Sequence, residues 1–214
     1  MTSAKDAVLG RIVSKAVQPG ARSAEYAAIP RLYRSAATLP ASQMLNLFIE
    51  RLRDYGCDVH RSNEASLPGV VESILENRGN HNLIVPPSVP ENWLPRKLHF
   101  VCDNGLTHEE LNRADGVLTG CALAIAATGT IVLAHSPSEG RRALTLIPDY
   151  HLCVISEAQV VETVPAGVRR MKAFATLPIT TIAGPSATAD IEMTRVKGVH
   201  GPRTLDIILV LDER

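Results

Sequence analysis

The sequence predicts an α/β fold in which a mainly parallel sheet is flanked by helices, with a helical arm before it. Short apolar segments rich in β-branched residues alternate with segments of helical periodicity, the order that parallel strands and crossover helices require. The length of 214 residues suits one large domain with a small appendage. We therefore divide the chain into an N-terminal helical arm, residues 1–40, and an α/β domain, residues 41–214.

The helical segments begin at residues that commonly cap helices. Ser3 and Asp6 resemble a capping box for a first helix, which we expect to pack as an appendage or to form an oligomer contact. Ser42 is expected to cap a helix that ends before Gly56 and buries one apolar face. Further helices are predicted at residues 68–77, 107–112, 141–146 and 165–174.

The apolar runs between these helices predict the strands. Residues 117–127 also fit a buried helix, because periodicity alone does not separate the two. A short strand is expected at residues 57–60, and another at 130–134 after a turn at Thr128 and Gly129. One sheet is expected to contain the remaining strands as neighbours, at residues 83–85, 98–102, 152–155, 179–183 and 205–211.

The charge balance and the aromatic content bear on whether the protein binds nucleic acid. Lys and Arg total 22 and Asp and Glu total 22, so no basic surface dominates. Three Phe, four Tyr and one Trp leave few rings for stacking on bases. The composition therefore gives little support for nucleic-acid binding.

The cysteines and glycines indicate neither a metal nor a redox cofactor. The four cysteines are far apart and form no C-x-x-C, so they are expected to be reduced, buried residues. The dinucleotide fingerprint G-x-G-x-x-G is missing, which argues against nicotinamide or flavin binding. We expect no metal and no cofactor.

One uncharged stretch raises the question of a membrane span. Residues 116–138 contain no Asp, Glu, Lys or Arg, but Gly129 at their centre and their alanine content favour buried strands around a turn. The first residues lack an apolar signal core. We expect a cytoplasmic protein with no membrane span.

The stretch from Ile182 to Pro202 is the candidate site, because it joins a β-branched segment to a polar, glycine-rich turn. Such turns lie at the carboxyl end of a parallel sheet, where ligands usually bind. Asp190 and Glu192 point to the same side of an extended chain, and with His200 they would form an acid–base group. Ligand-binding residues are expected at Gly184, Ser186, Thr188, Gly198 and Gly201. The competing interpretation is that Ser186 and Asp190 satisfy only local backbone groups.

Other polar segments allow a functional and a structural interpretation. Thr128, Gly129 and Thr130 fit an anion-binding turn as well as a hairpin turn. Residues 135–142 offer hydroxyls and two guanidiniums that suit an anion, or a capped helix with solvated arginines. His151 is a candidate ligand contact, or a hydrogen-bonded histidine at the start of a strand. We expect the turns at residues 128–130 and 198–201 to line one crevice with the segment that follows residues 179–183.

Four motifs give the chain a family resemblance. They are A-T-G-T-I-V-L at 127–133, P-D-Y-H at 148–151, G-P-S-A-T-A-D-I-E at 184–192 and G-V-H-G-P at 198–202. Together they resemble the LUD-domain family, in particular its lactate-utilisation C proteins, over the chain from about Ile29 onward. The resemblance implies a NagB/RpiA/CoA-transferase-like α/β fold. One departure is Ala127, where the family usually has a Glu, so an acid–base role for that Glu does not transfer to this chain.

The resemblance implies a non-redox subunit of a system that oxidises L-lactate to pyruvate. The resemblance also implies that its partners are iron–sulfur proteins, which carry the clusters. This chain itself has no motif for a group that carries electrons. The alternative is a freestanding enzyme that binds a small anionic metabolite, such as a sugar phosphate or a CoA thioester, although fold alone is a weak argument for function. The sequence leaves open whether the chain catalyses a reaction by itself and whether it forms a homo-oligomer.

Overall fold

The computed structural model describes residues 4–15, 26–34, 36–189, 195–198 and 200–212. The chain forms two compact units, Met1–Arg34 and Ser35–Arg214. The first unit contains helix α1 (Ala4–Lys15), on which the large apolar side chains are exposed. The sequence-based division at residue 40 stays a prediction.

The second unit contains a sheet of six parallel strands, which confirms the expected α/β class. The strands are β1 (Asp58–Ser62), β2 (Asn82–Val85), β3 (His99–Cys102), β4 (Gly116–Thr119), β7 (Tyr150–Ser156) and β12 (Thr204–Val210). They lie in the order β1-β12-β7-β4-β2-β3. The adjacent strands β12 and β7 are almost entirely buried, as the apolar runs of parallel strands usually are.

Four helices of the second unit lie close to their predicted positions. They are α2 (Ala41–Asp54), α3 (Leu67–Arg78), α4 (His108–Arg113) and α5 (Val164–Met171). The cap of α2 is Pro40 rather than the expected Ser42, whereas Thr107 caps α4 through a capping box with Glu110. A 3-10 turn replaces the helix expected at residues 141–146.

A second, smaller sheet corrects one prediction. Residues 179–183, expected in the main sheet, instead form β9 (Thr180–Ile182), which pairs antiparallel with β6. A short β-branched run fits the pleat of either sheet, so its composition does not identify its partner. The strand order is β8-β5-β6-β9, with β5 (Leu123–Ile125), β6 (Thr130–Leu133) and β8 (Val160–Val161). A separate antiparallel ribbon contains β10 (Ala187–Ala189) and β11 (Arg195–Lys197).

The two faces of the main sheet bury different layers, because successive side chains of a strand point to opposite sides. Leu152 and Ile208 pack with the apolar side of α3. Cys153 and Ile207 pack with α2 and with residues of the second sheet such as Ile131. The space between the main sheet and the second sheet therefore lies on the second of these faces.

Asp206 forms a buried charged cluster on the α3 face. Its carboxylate is 1% exposed and accepts hydrogen bonds from Arg78 Nε at 2.9 Å, from Arg78 Nη2 at 2.8 Å and from the Tyr150 hydroxyl at 2.9 Å. Arg78 also donates to Asp58. The hydrogen bonds to Asp206 raise the pKa of Arg78, and burial raises the pKa of Tyr150. The cluster attaches the end of α3 to β7 and β12.

Glu162 holds the segment that leads into α2. The residue is 1% exposed, and its Oε2 accepts the backbone N–H groups of Thr38 at 2.6 Å and Leu39 at 2.8 Å. A carboxylate that accepts backbone N–H groups makes charge-assisted hydrogen bonds, which are stronger than neutral ones. The start of α2 is thereby fixed against the short connection between β8 and α5.

The uncharged residues 116–138 contribute β4, β5 and β6, in agreement with the expected strands around a turn at Gly129. Within the described ranges, no helix is long and apolar enough to cross a membrane. Over those same ranges, no group of three or more His, Cys, Asp or Glu side chains is arranged to hold a metal ion.

Candidate functional site

A cavity of about 220 Å³ lies between the main sheet and β9. His151 and Leu205 border it from the main sheet, and residues 180–182 border it from the second sheet. The remaining wall is polar and glycine-rich, and contains residues 184–186 and 200–202 together with Ala183, Arg142 and Thr145. Five residues expected at the site therefore meet here: His151, Gly184, Ser186, His200 and Gly201.

The cavity lies at a different end of the main sheet from the one expected. His151 is the second residue of β7 and Leu205 the second residue of β12, so the cavity adjoins the amino ends of these strands. Residues 184–186 follow the carboxyl end of β9, as expected from the sequence, but β9 belongs to the second sheet. The assignment of β9 to the wrong sheet explains the shift in position.

Ser186 joins the two polar segments of the wall. Its N–H donates to Pro202 O at 2.8 Å, and its carbonyl accepts from Gly198 N at 3.1 Å. Its Oγ accepts from the backbone N–H of His200 at 2.9 Å. Because Oγ is an acceptor in that bond, the hydroxyl hydrogen remains available for a ligand. Ser186 thus links the two segments by hydrogen bonds and can also donate a hydrogen bond to an anion.

Gly184 sets the direction of this wall. Its φ of +84° lies in the region that favours glycine, and a Cβ at this position would lie 2.5 Å from Tyr55 Cβ. The chain therefore turns directly against α2 before it reaches Ser186. A side chain at position 184 would push the wall away from the helix.

Arg142 supplies the positive charge of the cavity. Its Nη1 donates to Thr145 O at 2.8 Å, and its Nη2 donates to His200 O at 2.9 Å. None of the ion pairs found among the described residues includes Arg142, and partial burial lowers its pKa. Arg141 differs, since its Nε lies 2.7 Å from the buried Asp103 carboxylate. Among the described residues that border the cavity, Arg142 is the guanidinium available to an anionic ligand.

His151 supplies a buried nitrogen without a partner. The residue is fully buried, and its Nε2 lies 2.8 Å from Thr119 Oγ1 on the adjacent strand β4. Its Nδ1 is buried and makes no hydrogen bond to any of the described residues. Buried polar atoms nearly always have a partner in folded proteins, so an exception on the wall of a cavity indicates a place for a ligand.

Two buried thiols lie behind His151. Cys153 follows it by two residues on the same face of β7, and Cys121 belongs to the same core cluster. The neighbouring Cys121, followed by His151 and Thr119, lowers the pKa of Cys153. The contact with Cys153 and burial raise the pKa of Cys121. Neither cysteine borders the cavity.

His135 holds one side of the cavity wall in place. Its φ of +48° is unusual for a residue other than glycine. Its Nδ1 donates to Gly140 O at 2.8 Å, because a carbonyl only accepts, and its Nε2 lies 2.7 Å from Thr180 Oγ1. Thr180 borders the cavity, so His135 connects the loop that precedes Arg142 to β9.

Several expected site residues lie elsewhere. Thr128, Gly129 and Thr130 do not border the cavity; a Cβ at Gly129 would lie 2.8 Å from Arg51 Cβ of α2. Asp190 and Glu192 lie outside the described residues, as does the side chain of Thr188, whose backbone is in β10. The acid–base group of Asp190, Glu192 and His200 therefore stays a prediction.

The structure adds residues that the sequence did not single out. Thr119 and Thr145 are isolated hydroxyls in apolar or mixed segments, and Thr181 belongs to a run that indicates a strand. The signal for Arg142 was present, because two adjacent arginines after a serine- and glycine-containing loop suit an anion. The sequence did not distinguish Arg142 from Arg141.

The chain is similar to several known proteins. The LUD domain matches residues 45–210. Lactate utilization protein C of Deinococcus radiodurans is 46% identical over 83% of this chain and 84% of its own length. The protein of the same name from Halalkalibacterium halodurans is 29% identical over 80% of this chain and 81% of its own. A crystal structure of a DUF162 family protein from Deinococcus radiodurans superposes with a TM-score of 0.71 at 41% identity, covering 81% of this chain and 99% of that one. With a domain match across most of the chain and this level of identity, the protein belongs to the LUD-domain family.

Proposed function

We propose that the protein is a non-redox component of an L-lactate oxidation system and that its cavity holds a small carboxylate. Iron–sulfur partner proteins would carry the electrons released when lactate becomes pyruvate. The names of the relatives support the role in lactate utilisation. The cavity supports the binding of an anion.

The unpaired guanidinium of Arg142 carries this proposal. A partly buried cation has lost some of its hydration, and a carboxylate would compensate that loss. Arg142 is held in place by hydrogen bonds to Thr145 O and His200 O, so little ordering is left to the moment of binding. The Ser186 hydroxyl is a second donor on the same wall.

The size of the cavity favours a small metabolite. Drug-sized ligands usually occupy pockets of about 300–1,000 Å³, whereas this cavity measures about 220 Å³. A CoA thioester would have to leave most of its nucleotide outside. The alternative function, a freestanding enzyme acting on a small anion, needs the same cation but no partner proteins.

Affinity purification of the tagged chain from its native cells separates these functions. The proposal expects iron–sulfur proteins to co-purify in a fixed ratio under anaerobic conditions, with iron in the eluate. The tag alone is the control. An eluate that contains this chain without iron–sulfur proteins contradicts the proposed role and favours the freestanding enzyme.

The adjacent arginines offer a matched pair of variants for the binding step. Arg142→Gln is expected to weaken the binding of L-lactate by at least about tenfold, because a hydrogen bond to a charged group contributes about 1.5–3 kcal/mol. Arg141→Gln removes the same charge from a residue that pairs with Asp103, so it should reduce stability and leave the affinity unchanged. Titration calorimetry and urea unfolding measure both effects. Equal affinity in the wild-type protein and Arg142→Gln would contradict carboxylate binding in the cavity.

A further inference from the structure

We infer that His151 makes the cavity selective for a carboxylate that carries a hydroxyl group over one that carries a keto group. The inference rests on the proposed function, in which the cavity holds a small carboxylate. It concerns the second polar group of the ligand and the direction in which that group's hydrogen bond must run.

The hydrogen bonds around Thr119 determine which nitrogen of His151 carries the proton. Thr119 has one hydroxyl hydrogen, and Oγ1 donates it to Gly120 O at 2.8 Å. The same Oγ1 lies 2.8 Å from His151 Nε2. Because its hydrogen is already used, Oγ1 must accept from an Nε2–H group. In the neutral ring this leaves Nδ1 as a lone pair, which can only accept a hydrogen bond.

No hydrogen-bond partner for this acceptor is found among the residues that the structure describes. His151 is fully buried and borders the cavity, and its Nδ1 makes no hydrogen bond. The thiol of Cys153 lies two residues further along the same face of β7. Its Sγ donates to Gly120 O at 3.7 Å instead. A ligand in the cavity is therefore the group that can satisfy Nδ1.

The chemical nature of this partner follows from the direction of the bond. A hydroxyl donates to Nδ1, whereas a keto oxygen is itself an acceptor and would place two lone pairs against each other. Moving the proton to Nδ1 would also leave Nε2 and Thr119 Oγ1 as two acceptors, unless Thr119 gave up its bond to Gly120. Thr119 is thus a positioning residue. With Arg142 as the cation, the site fits a small hydroxy-carboxylate.

Three probes that differ at one position test this selectivity. L-lactate carries the hydroxyl, pyruvate carries a keto oxygen, and propionate carries neither. We expect calorimetric titration to show L-lactate binding at least about tenfold more tightly than the other two, the loss expected for one missing hydrogen bond. Equal binding of the three would overturn this inference and leave the carboxylate site intact. Absence of binding by all three would overturn both.

Nitrogen-15 spectra of histidine-labelled protein read the proton position directly. The expected spectrum of free protein shows an unprotonated Nδ1 and a protonated Nε2 for His151, with the signals assigned by their loss in His151→Gln. L-lactate should shift the Nδ1 signal, and pyruvate should not. A protonated Nδ1 in the free protein at neutral pH would overturn the inference without any variant.

Thr119→Val tests the positioning role, because it keeps the shape of the side chain and removes its hydroxyl. The preference for L-lactate over pyruvate should fall to within about twofold, while Arg142 keeps the binding of the carboxylate itself. Cys153→Ala is the matched control on the same face and should retain the full preference. An unchanged preference in folded Thr119→Val, or its loss in Cys153→Ala, would overturn the assigned role.

Discussion

Asp206 and His151 are buried polar residues on two adjacent strands, β12 and β7. They differ by one position in the pairing of these strands and lie on opposite faces of the main sheet. Leu205 pairs with His151, and Asp206 pairs with Leu152. Both oxygens of Asp206 accept hydrogen bonds, from Arg78 and from Tyr150. In the described part of the chain, His151 has a partner for Nε2 and none for Nδ1. Two residues with similar burial therefore differ in whether their hydrogen bonds are complete.

The difference lies in whether the protein completes the hydrogen bonds itself. A buried charge and its hydrogen-bond partners stabilise the folded state only together. Removing one partner destabilises the protein strongly, because it leaves the other group buried and unpaired. A buried acceptor that lacks a partner costs stability in the free protein, and a ligand that supplies the donor recovers this cost. The α3 face is therefore expected to determine stability, and the cavity face to determine binding.

The largest effect is expected from breaking the complete cluster. Asp206→Ala leaves the Arg78 guanidinium and the Tyr150 hydroxyl without their buried acceptor. We expect the free energy of unfolding to fall by about 3 kcal/mol, the lower part of the range for a broken buried pair, because the Arg78 side chain is 37% exposed. Urea unfolding measures the change.

The affinity of the same variant for L-lactate tests whether the two faces of the sheet have separate roles. Folded Asp206→Ala should bind L-lactate as the wild-type protein does, since Asp206 does not border the cavity. A large loss of affinity without a loss of stability would reverse the roles assigned to the two faces.

A smaller effect, dependent on pH, is expected at the pair of Arg141 and Asp103. The hydrogen bond from Arg141 lowers the pKa of Asp103 from its usual value of 3.8. A lowered pKa in the folded state means that the stabilisation is complete above the unfolded-state value and is lost as the pH falls through the folded-state value. Asp103→Asn should therefore reduce stability by about 1.5 kcal/mol at neutral pH, discounted because Arg141 is partly exposed.

The difference between the wild-type protein and Asp103→Asn should be constant from about pH 7 to 5 and should shrink below about pH 4. Urea unfolding of both proteins across this range measures it, and most other carboxylates cancel in the difference. A difference that persists unchanged at pH 3 would show that the charge of Asp103 is not its source.

The smallest effect is expected from Tyr150→Phe. This change removes one of the hydrogen bonds to Asp206 and leaves both bonds from Arg78 in place. We expect a loss of about 1 kcal/mol in urea unfolding, with the binding of L-lactate unchanged. A loss as large as that of Asp206→Ala would mean that the tyrosine hydroxyl, rather than the ion pair, dominates the cluster.

The sequence predicted the parts of the fold that depend on local patterns. Alternating apolar segments gave the parallel sheet, Thr107 gave the capped start of α4, and Gly129 gave the turn between β5 and β6. The same patterns brought Gly184, Ser186 and His200 into one candidate site. The structure places these three residues on one cavity.

The sequence did not predict features that depend on distant partners. The run at 180–182 has the composition of a strand in either sheet, and only its pairing with β6 decides between them. Arg141 and Arg142 look alike in sequence, and only the position of Asp103 separates a paired guanidinium from an unpaired one. The role of Thr119 depends on its contact with His151 on the adjacent strand β7, which no local pattern reveals.

The anchor at Glu162 has a consequence for how the chain can change over evolution. Its carboxylate holds the backbone N–H groups of Thr38 and Leu39, which every residue except proline possesses. These two bonds place no demand on the side chains at positions 38 and 39. The segment before α2 can therefore diverge widely in sequence among relatives and keep this attachment, provided that neither position becomes proline and the carboxylate at 162 is retained.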